Sequence, residues 1–340
     1  MNLIAFLAGG AILSAYSGPQ PEEVKQYRDW VVSCDNARYC EAVGLDPFGK
    51  GPLEVTITNS VHDAVGAQVS IVHHGKDQDF RLFLDGQPLP NGGATAGVVR
   101  YQGDSAKQIA RRLAEGHYLT ARDRSGQKIS AASIFGVKAA LLYMDDRQER
   151  SGTTGAIIKT GSKSVSEILP GWSTTLTLSA AGREKPTNVP KSVTDKLLVA
   201  TNCDSHIDTP ADDFAISRLD EESTLLILPN ICLSGAYNLA SQAYVVSNSG
   251  EYRAAEFDID PGMGGDNASN WVANVLWDEQ GATLETSVLT RSLGDCGRRR
   301  YFIWNGESFN LFKQEDMPVC GGRTRFVRTF TAGYAARESR

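Results

Sequence analysis

Several strings in this 340-residue chain carry residue types that could do chemistry. Gly44-Leu-Asp-Pro-Phe-Gly49-Lys50-Gly51 nearly matches a phosphate-binding loop. Gly51, however, stands where a Ser or Thr must ligate Mg2+, and Gly51-Pro52 leads into a strand pattern instead of a phosphate-holding helix N-terminus. Ser125-Gly-Gln-Lys128 and Lys159-Thr-Gly161 imitate the S-x-x-K and K-T-G strings of penicillin-recognising enzymes. That chemistry stacks Ser and Lys one helical turn apart, whereas Ser125-Gly126 reads as a turn. Asp145-Asp146 suggests a carboxylate pair for acid–base work. Adjacent residues diverge by about 100° on a helix, so the pair reads instead as structural, with an ion pair that could dock two domains. Asp258, Asp260 and Asp266, in a Gly-rich acidic stretch, are candidate Ca2+ ligands, but the order differs from an EF-hand and a surface loop fits as well.

The five histidines are His62, His73, His74, His117 and His206. Neighbouring strand residues point to opposite faces, so His73 and His74 are poorly placed to share one metal ion. No G-x-S-x-G elbow accompanies a Ser-His-acid set. No catalytic residue and no cofactor site emerges.

The six cysteines carry more information. Cys34, Cys40, Cys203, Cys232, Cys296 and Cys320 make an even set without C-x2-C or close Cys/His spacing, which disfavours zinc and favours disulfides. Six cysteines allow 15 connectivities. Their distribution favours sequential pairing, Cys34–Cys40, Cys203–Cys232 and Cys296–Cys320, which keeps each bridge local. Disulfides imply an oxidising compartment. Residues 1–17 are a short apolar run ending in Ala15-Tyr-Ser17, which reads as a cleavable signal peptide, although no Lys or Arg precedes it. A buried first strand is the plainer alternative. No later stretch is apolar for long enough to span a membrane as a helix.

The elements that would hold these residues are mostly strands. Asp29–Cys34 opens the series. Leu53–Thr58, Ala67–Val72 and Phe80–Leu84 alternate apolar and polar side chains, as half-buried strands do. Asp104 can cap a helix running to Glu115 before Gly116, and a second helix is expected from Ser130 or Ser133 through Ile134, Val137, Ala140 and Leu141. It should fade in the polar run Asp145–Arg150. Beyond residue 200 many short strands follow. Arg300–Trp304, Asn305-Gly306 and Ser308–Phe312 predict a tight type I′ hairpin.

The expected fold is thus α+β and mostly β. A β-rich N-terminal domain with two helices (18–160) precedes a polar linker (161–196) and an antiparallel all-β C-terminal domain, a meander or sandwich (197–337). Hydrophobic residues at 41% with a net charge of only -6 argue against bulk disorder and against a dedicated nucleic-acid binder. The charge is uneven: Arg291–Arg340 holds ten Lys/Arg against five Asp/Glu. A solvated basic surface explains this simply; an anionic partner is the sharper reading.

Asp29-Trp-Val-Val-Ser-Cys-Asp35 with Cys40, Ala140–Gln148, Cys232-Leu-Ser-Gly-Ala-Tyr-Asn238, Leu293-Gly-Asp-Cys-Gly297, Trp304–Phe309 and Cys320 resemble the bacterial domain-of-unknown-function family 1176. The first domain is more weakly similar to invasion-associated locus B proteins. The resemblance implies a Gram-negative exported protein, and it brings no catalytic residue or ligand. The expected role is a non-catalytic binding or structural protein of the periplasm, or a secreted one, whose partner is an envelope protein or cell-wall component. The alternatives are an envelope hydrolase with a site between the domains and a calcium-dependent module.

Overall fold

The computed structural model describes residues 20–46, 51–60, 66–76, 79–165, 171, 174–179, 189–200, 203, 214–262, 270–279, 281–323 and 325–336. The expected signal segment, most of Ala181–Lys191, and His62, His206 and Asp266 lie outside the described residues.

The chain runs through β1 (Lys25–Tyr27), β2 (Trp30–Cys34), β3 (Cys40–Gly44), β4 (Leu53–Asn59), β5 (Ala67–His73), β6 (Arg81–Leu84), β7 (Gln87–Gly93) and β8 (Val98–Gln102). Helix α1 (Gly103–Glu115), β9 (Tyr118–Arg122), β10 (Lys128–Ser133) and helix α2 (Val137–Arg147) complete the first half. Two antiparallel sheets result, ordered β1-β2-β3-β4-β5-β8 and β10-β9-β6-β7. Their alternating apolar residues, among them Val55, Ile57, Ile71, Leu82 and Leu119, share one core with Ile109 and Leu113 of α1 and Leu141 and Met144 of α2. This is the i, i+4 stripe that an amphipathic helix must bury.

Both helices begin differently from expectation. Asp104 sits in the first turn of α1, and the cap position is Gln102, which makes no side-chain cap bond. Ser130 and Ser133 belong to strand β10, and α2 starts only at Val137. Gly136 makes that start possible: its φ is +107°, and a Cβ there would overlap the carbonyl of Tyr27.

The second half contains β11 (Thr175–Leu178), α3 (Lys191–Ala200), β12 (Ala215–Arg218), β13 (Ser223–Pro229), β14 (Ala240–Ser247), β15 (Tyr252–Ala254), β16 (Trp271–Ala273), β17 (Leu276–Asp278), β18 (Thr283–Leu289), β19 (Gly297–Trp304), β20 (Phe309–Met317), β21 (Val327–Thr331) and β22 (Gly333–Ala336). The stretch 161–196, read as a linker from its composition, thus contains β11, which pairs in parallel with β22, and opens α3.

One sheet is β12-β13-β14-β15, with β16 also on β14, and the other is β17-β18-β19-β20-β21. Leu225, Ile227 and Val245 face Leu284, Phe302, Trp304 and Phe309 across the space between them, so the two sheets form a sandwich. The run Thr224–Leu228 is continuously apolar because both faces of β13 are covered: Leu226 and Leu228 meet Val193 and Leu197 of α3 on the far side. Asn274 (φ +45°) lies where the chain leaves one sheet, after β16, and joins the other at β17.

The β19–β20 hairpin closes differently from the type I′ expectation. Trp304 pairs with Phe309, leaving a four-residue loop. The Asn305 side chain accepts the backbone N–H groups of Glu307 and Ser308 at 2.8 Å each, and only Gly306 takes a positive φ.

The two halves are joined face to face. Val31, Val43 and Leu45, on the side of β2 and β3 away from the helices, pack on Met317, Phe326 and Val327. The C-terminal basic stretch, expected as solvated surface, is largely consumed by internal contacts. Arg325 Nε lies 2.6 Å from Glu41, and Arg328 Nε 2.6 Å from Asp35 with its guanidinium over Tyr39. Arg298 pairs with Asp316, and buried Arg300 donates to Gln314. Burial raises the carboxyls of Asp35 and Glu41 above the ordinary range, against the pull of their arginines.

Candidate functional site

A cavity of about 1100 Å3 forms an open groove along β10. It is built from local features. The β9–β10 turn is held by Asp123, whose carboxylate accepts the Ser125 hydroxyl and the backbone N–H groups of Ser125 and Gln127. Those bonds, the Ser125 hydroxyl first, hold its pKa below the usual carboxylate range. The hairpin brings Ser133 opposite Tyr118. Beyond Ser133 the chain bends, and the bend is clasped to the β1–β2 turn. Ser133 Oγ donates to Asp29 Oδ2 at 2.6 Å, Asp29 N donates to the Phe135 carbonyl at 3.1 Å, and Trp30 Nε1 donates to the Ser133 carbonyl at 3.2 Å.

That clasp turns Phe135 outward, 63% exposed, with Arg28 stacked 5.3 Å from its ring centre; Tyr118 beside the same groove is 74% exposed. Exposed apolar side chains that cluster beside a concavity can mark an interaction site. The opposite wall comes from the seam between the halves. Asp46 accepts the Gly51 N–H at 2.6 Å, and Arg323 donates to the Gly51 and Leu53 carbonyls at 2.9 and 2.7 Å. Burial lowers the Arg323 pKa.

The fixed charges of Asp29, Asp46 and Arg323 are thus engaged within the protein. Lys128 and Lys138, also lining the groove, are exposed and have no carboxylate partner among the described residues. Ser130, only 7% exposed, is among the lining residues, and its hydroxyl oxygen, itself buried, finds no hydrogen-bond partner among the described residues.

The candidates read from the sequence fall elsewhere or take structural roles. The cysteines pair Cys34–Cys40, Cys203–Cys232 and Cys296–Cys320. Asp295, Cys296 and Cys320 lie close enough to suggest a metal site, but the two sulfurs are bonded to each other and neither remains a thiolate. Asp295 is instead held by Arg291 and the Gly322 N–H, and the Arg291 bond first holds its pKa low. In the same Leu293–Gly297 string, Gly297 (φ +143°) admits no Cβ beside the Val288 carbonyl.

Asp145 is fully buried and accepts the backbone N–H groups of Ile157, Ile158 and Lys159 at 2.7 to 3.0 Å, which folds the following loop onto α2. It anchors a loop within the first half, not a junction between domains. The helix ends within the polar run as expected, at Arg147, and the residues after it are put to use: Gln148 and Arg150 bind Asn59 and the Ser60 carbonyl at the end of β4. Ser125 sits in the β-turn, Lys128 begins β10, and Lys159-Thr-Gly161 belongs to the Asp145 loop. His73 is buried, His74 pairs with Glu54 and His117 with Asp85, so the strand indeed parts the histidine pair. Asp258 accepts the Leu311 N–H and the Asn310 amide, and burial raises its pKa. Asp260 faces Arg300 and accepts the Gly262 N–H. Of the near phosphate loop, residues 47–50 lie outside the described residues, while Gly44 ends β3 and Gly51-Pro52 leads into β4.

The groove itself was not foreseen. One signal for it existed: Ile134, Val137, Ala140 and Leu141 share the buried side of the α2 segment, which leaves Phe135 off that stripe.

A family model described as a protein of unknown function (DUF1176) matches residues 24–327. The chain is 26% identical over 318 residues to the uncharacterized protein YpfG of Escherichia coli (strain K12), covering 87% of this chain and 88% of that protein. No solved structure matches it. No described helix is long and apolar enough to cross a membrane, and three disulfides fit an exported protein.

Proposed function

The chain belongs to the DUF1176 family, described as of unknown function, and we propose that it is a non-catalytic binding protein of the cell envelope, periplasmic or secreted, that engages an envelope protein or cell-wall component. In this reading residues 18–160 and 197–337 are two domains, and the partner sits in the groove that the first domain forms with Arg323 of the second. The observation that carries it is the groove along β10, with Tyr118 and Phe135 exposed beside it. Binding sites are concave, largely apolar and furnished with a few polar groups.

The polar groups there favour binding over hydrolysis. The Ser133 hydroxyl donates to Asp29 and accepts the Phe135 N–H, while His117, largely exposed, pairs with Asp85. A hydrolytic serine needs a base such as an imidazole or a lysine amine to take its proton, and the hydrogen bonds of Ser133 go instead to Asp29 and the Phe135 N–H.

The test is photocrosslinking in cells, with benzoylphenylalanine in place of Phe135 and, as a control, in place of Val199, which is 81% exposed on α3. An adduct from the Phe135 position alone is the expected result. No adduct from that position, together with turnover of an esterase, peptidase or glycan panel by the purified protein, would replace this reading with an enzymatic one.

A further inference from the structure

The groove has a length as well as a volume. Its floor is the six-residue β10, an edge strand that among the described residues pairs only with β9. Lys128 starts this strand, and Lys138 lies just past its other end in the first turn of α2. At about 3.3 Å per residue the strand runs roughly 17 Å from Lys128 to Ser133, and Lys138 follows beyond the bend. A ligand that follows the strand from Lys128 toward Lys138 is an extended one. Between them lie the exposed rings of Tyr118 and Phe135 and the unpartnered Ser130 hydroxyl.

Each feature selects for the occupant. Two unpaired cations far apart ask for two separated anions. Aromatic walls ask for an apolar side chain between them. A buried hydroxyl without a partner asks for a polar group at close range, since leaving it unmet costs free energy.

We infer that the groove binds an extended acidic polypeptide segment, with carboxylates at Lys128 and Lys138, an apolar side chain between Tyr118 and Phe135, and a peptide group at Ser130. This rests on the proposed binding role and names the chemistry of the partner.

Fluorescence anisotropy of the full chain tests it. The probes are fluorescein-labelled peptides of about eight residues, enough to span the strand, acidic at both ends with a Phe or Leu centre. Their counterparts are charge-reversed peptides and, as an unrelated anion, an oligogalacturonate. The acidic set binds and the charge-reversed set does not. K128E and K138E each weaken binding about tenfold, and added salt weakens it further. S130A weakens it a few-fold. The melting temperatures of all three variants stay at the wild-type value, which separates lost binding from lost folding.

Equal binding of acidic and basic peptides, no binding of the acidic set, or lysine-dependent binding of the oligogalacturonate alone overturns the inference. Should the cellular adduct at Phe135 persist in any of those cases, the binding role stands and only the peptide assignment falls. Loss of both removes the two together.

Discussion

Strands β2 and β3 are buried on both faces, yet the two faces are closed by different means. Toward the helices, Trp30, Val32 and Ala42 enter a continuous apolar core with α1 and α2. Toward the second half, Val31 and Val43 meet Phe326 and Val327, but Glu41 and Asp35 lie beside them and need Arg325 and Arg328. Apolar burial on the first face gains free energy with every atom removed from water. On the second face, desolvating a carboxylate opposes its attraction to the arginine, so the pairs contribute position more than stability. A sheet can thus be fastened strongly on one side and specifically on the other.

The largest expected effect is on the apolar face. Trp30→Ala should cost about 3–5 kcal/mol in urea unfolding, the range for deleting a large core aromatic. A loss of less than about 1 kcal/mol would mean that the two faces do not differ as described.

On the charged face, Arg328→Ala leaves the Asp35 carboxylate, wholly buried, without its cation, at a cost of about 2–4 kcal/mol. The paired change Asp35→Leu with Arg328→Leu should cost less than Arg328→Ala alone. If it costs more, the ion pair is itself a net source of stability.

A smaller effect is the pH dependence. Burial raises Asp35 and Glu41, so the folded protein holds their protons to higher pH than the unfolded chain does. Their contribution is then greatest below the unfolded carboxylate pKa of about 4 and declines as pH rises through the folded values. Unfolding midpoints measured from acid to neutral pH should show this decline, and Asp35→Asn with Glu41→Gln should flatten it. Asp295, lowered by Arg291, has the opposite sign: its stabilisation is present above the unfolded pKa and lost as pH falls through the folded one. Asp295→Asn should therefore narrow the stability gap between neutral and acid pH.

The smallest effect lies at the groove. Lys128→Glu and Lys138→Glu should change stability by less than about 0.5 kcal/mol, since neither lysine has a carboxylate partner among the described residues. A larger loss would make the groove lysines part of the scaffold.

What could be read from the sequence follows the range of the interaction. Strands β4, β5 and β6 show in local alternation, and α1 in its stripe of Ile109 and Leu113. The disulfides join sequential cysteines, the most distant pair 29 residues apart, so local reasoning reaches them. Strand β10 was hidden because Lys-Ile-Ser-Ala-Ala-Ser has one β-branched residue and two serines that resemble helix caps. The seam was hidden for a stronger reason. Glu41 and Arg325 are 284 positions apart, and nothing near either residue specifies its partner. Charge counting therefore registered a basic surface where the fold has internal ion pairs. The groove combines both difficulties, because its floor comes from β10 and one wall includes Arg323, and exposure of Phe135 is a property of the assembled molecule.

The seam also sets an order of events. A polypeptide is made from its N-terminus, so β2 and β3 exist long before residue 325 follows them. The Cys34–Cys40 bridge spans a separation of only 6 and can close early. The outer face of the same strands, with Val31, Val43 and Glu41, has to wait uncovered until β20 and β21 arrive. During that interval the nascent first half presents a sticky, partly charged flank, and the late strands act as its built-in cover.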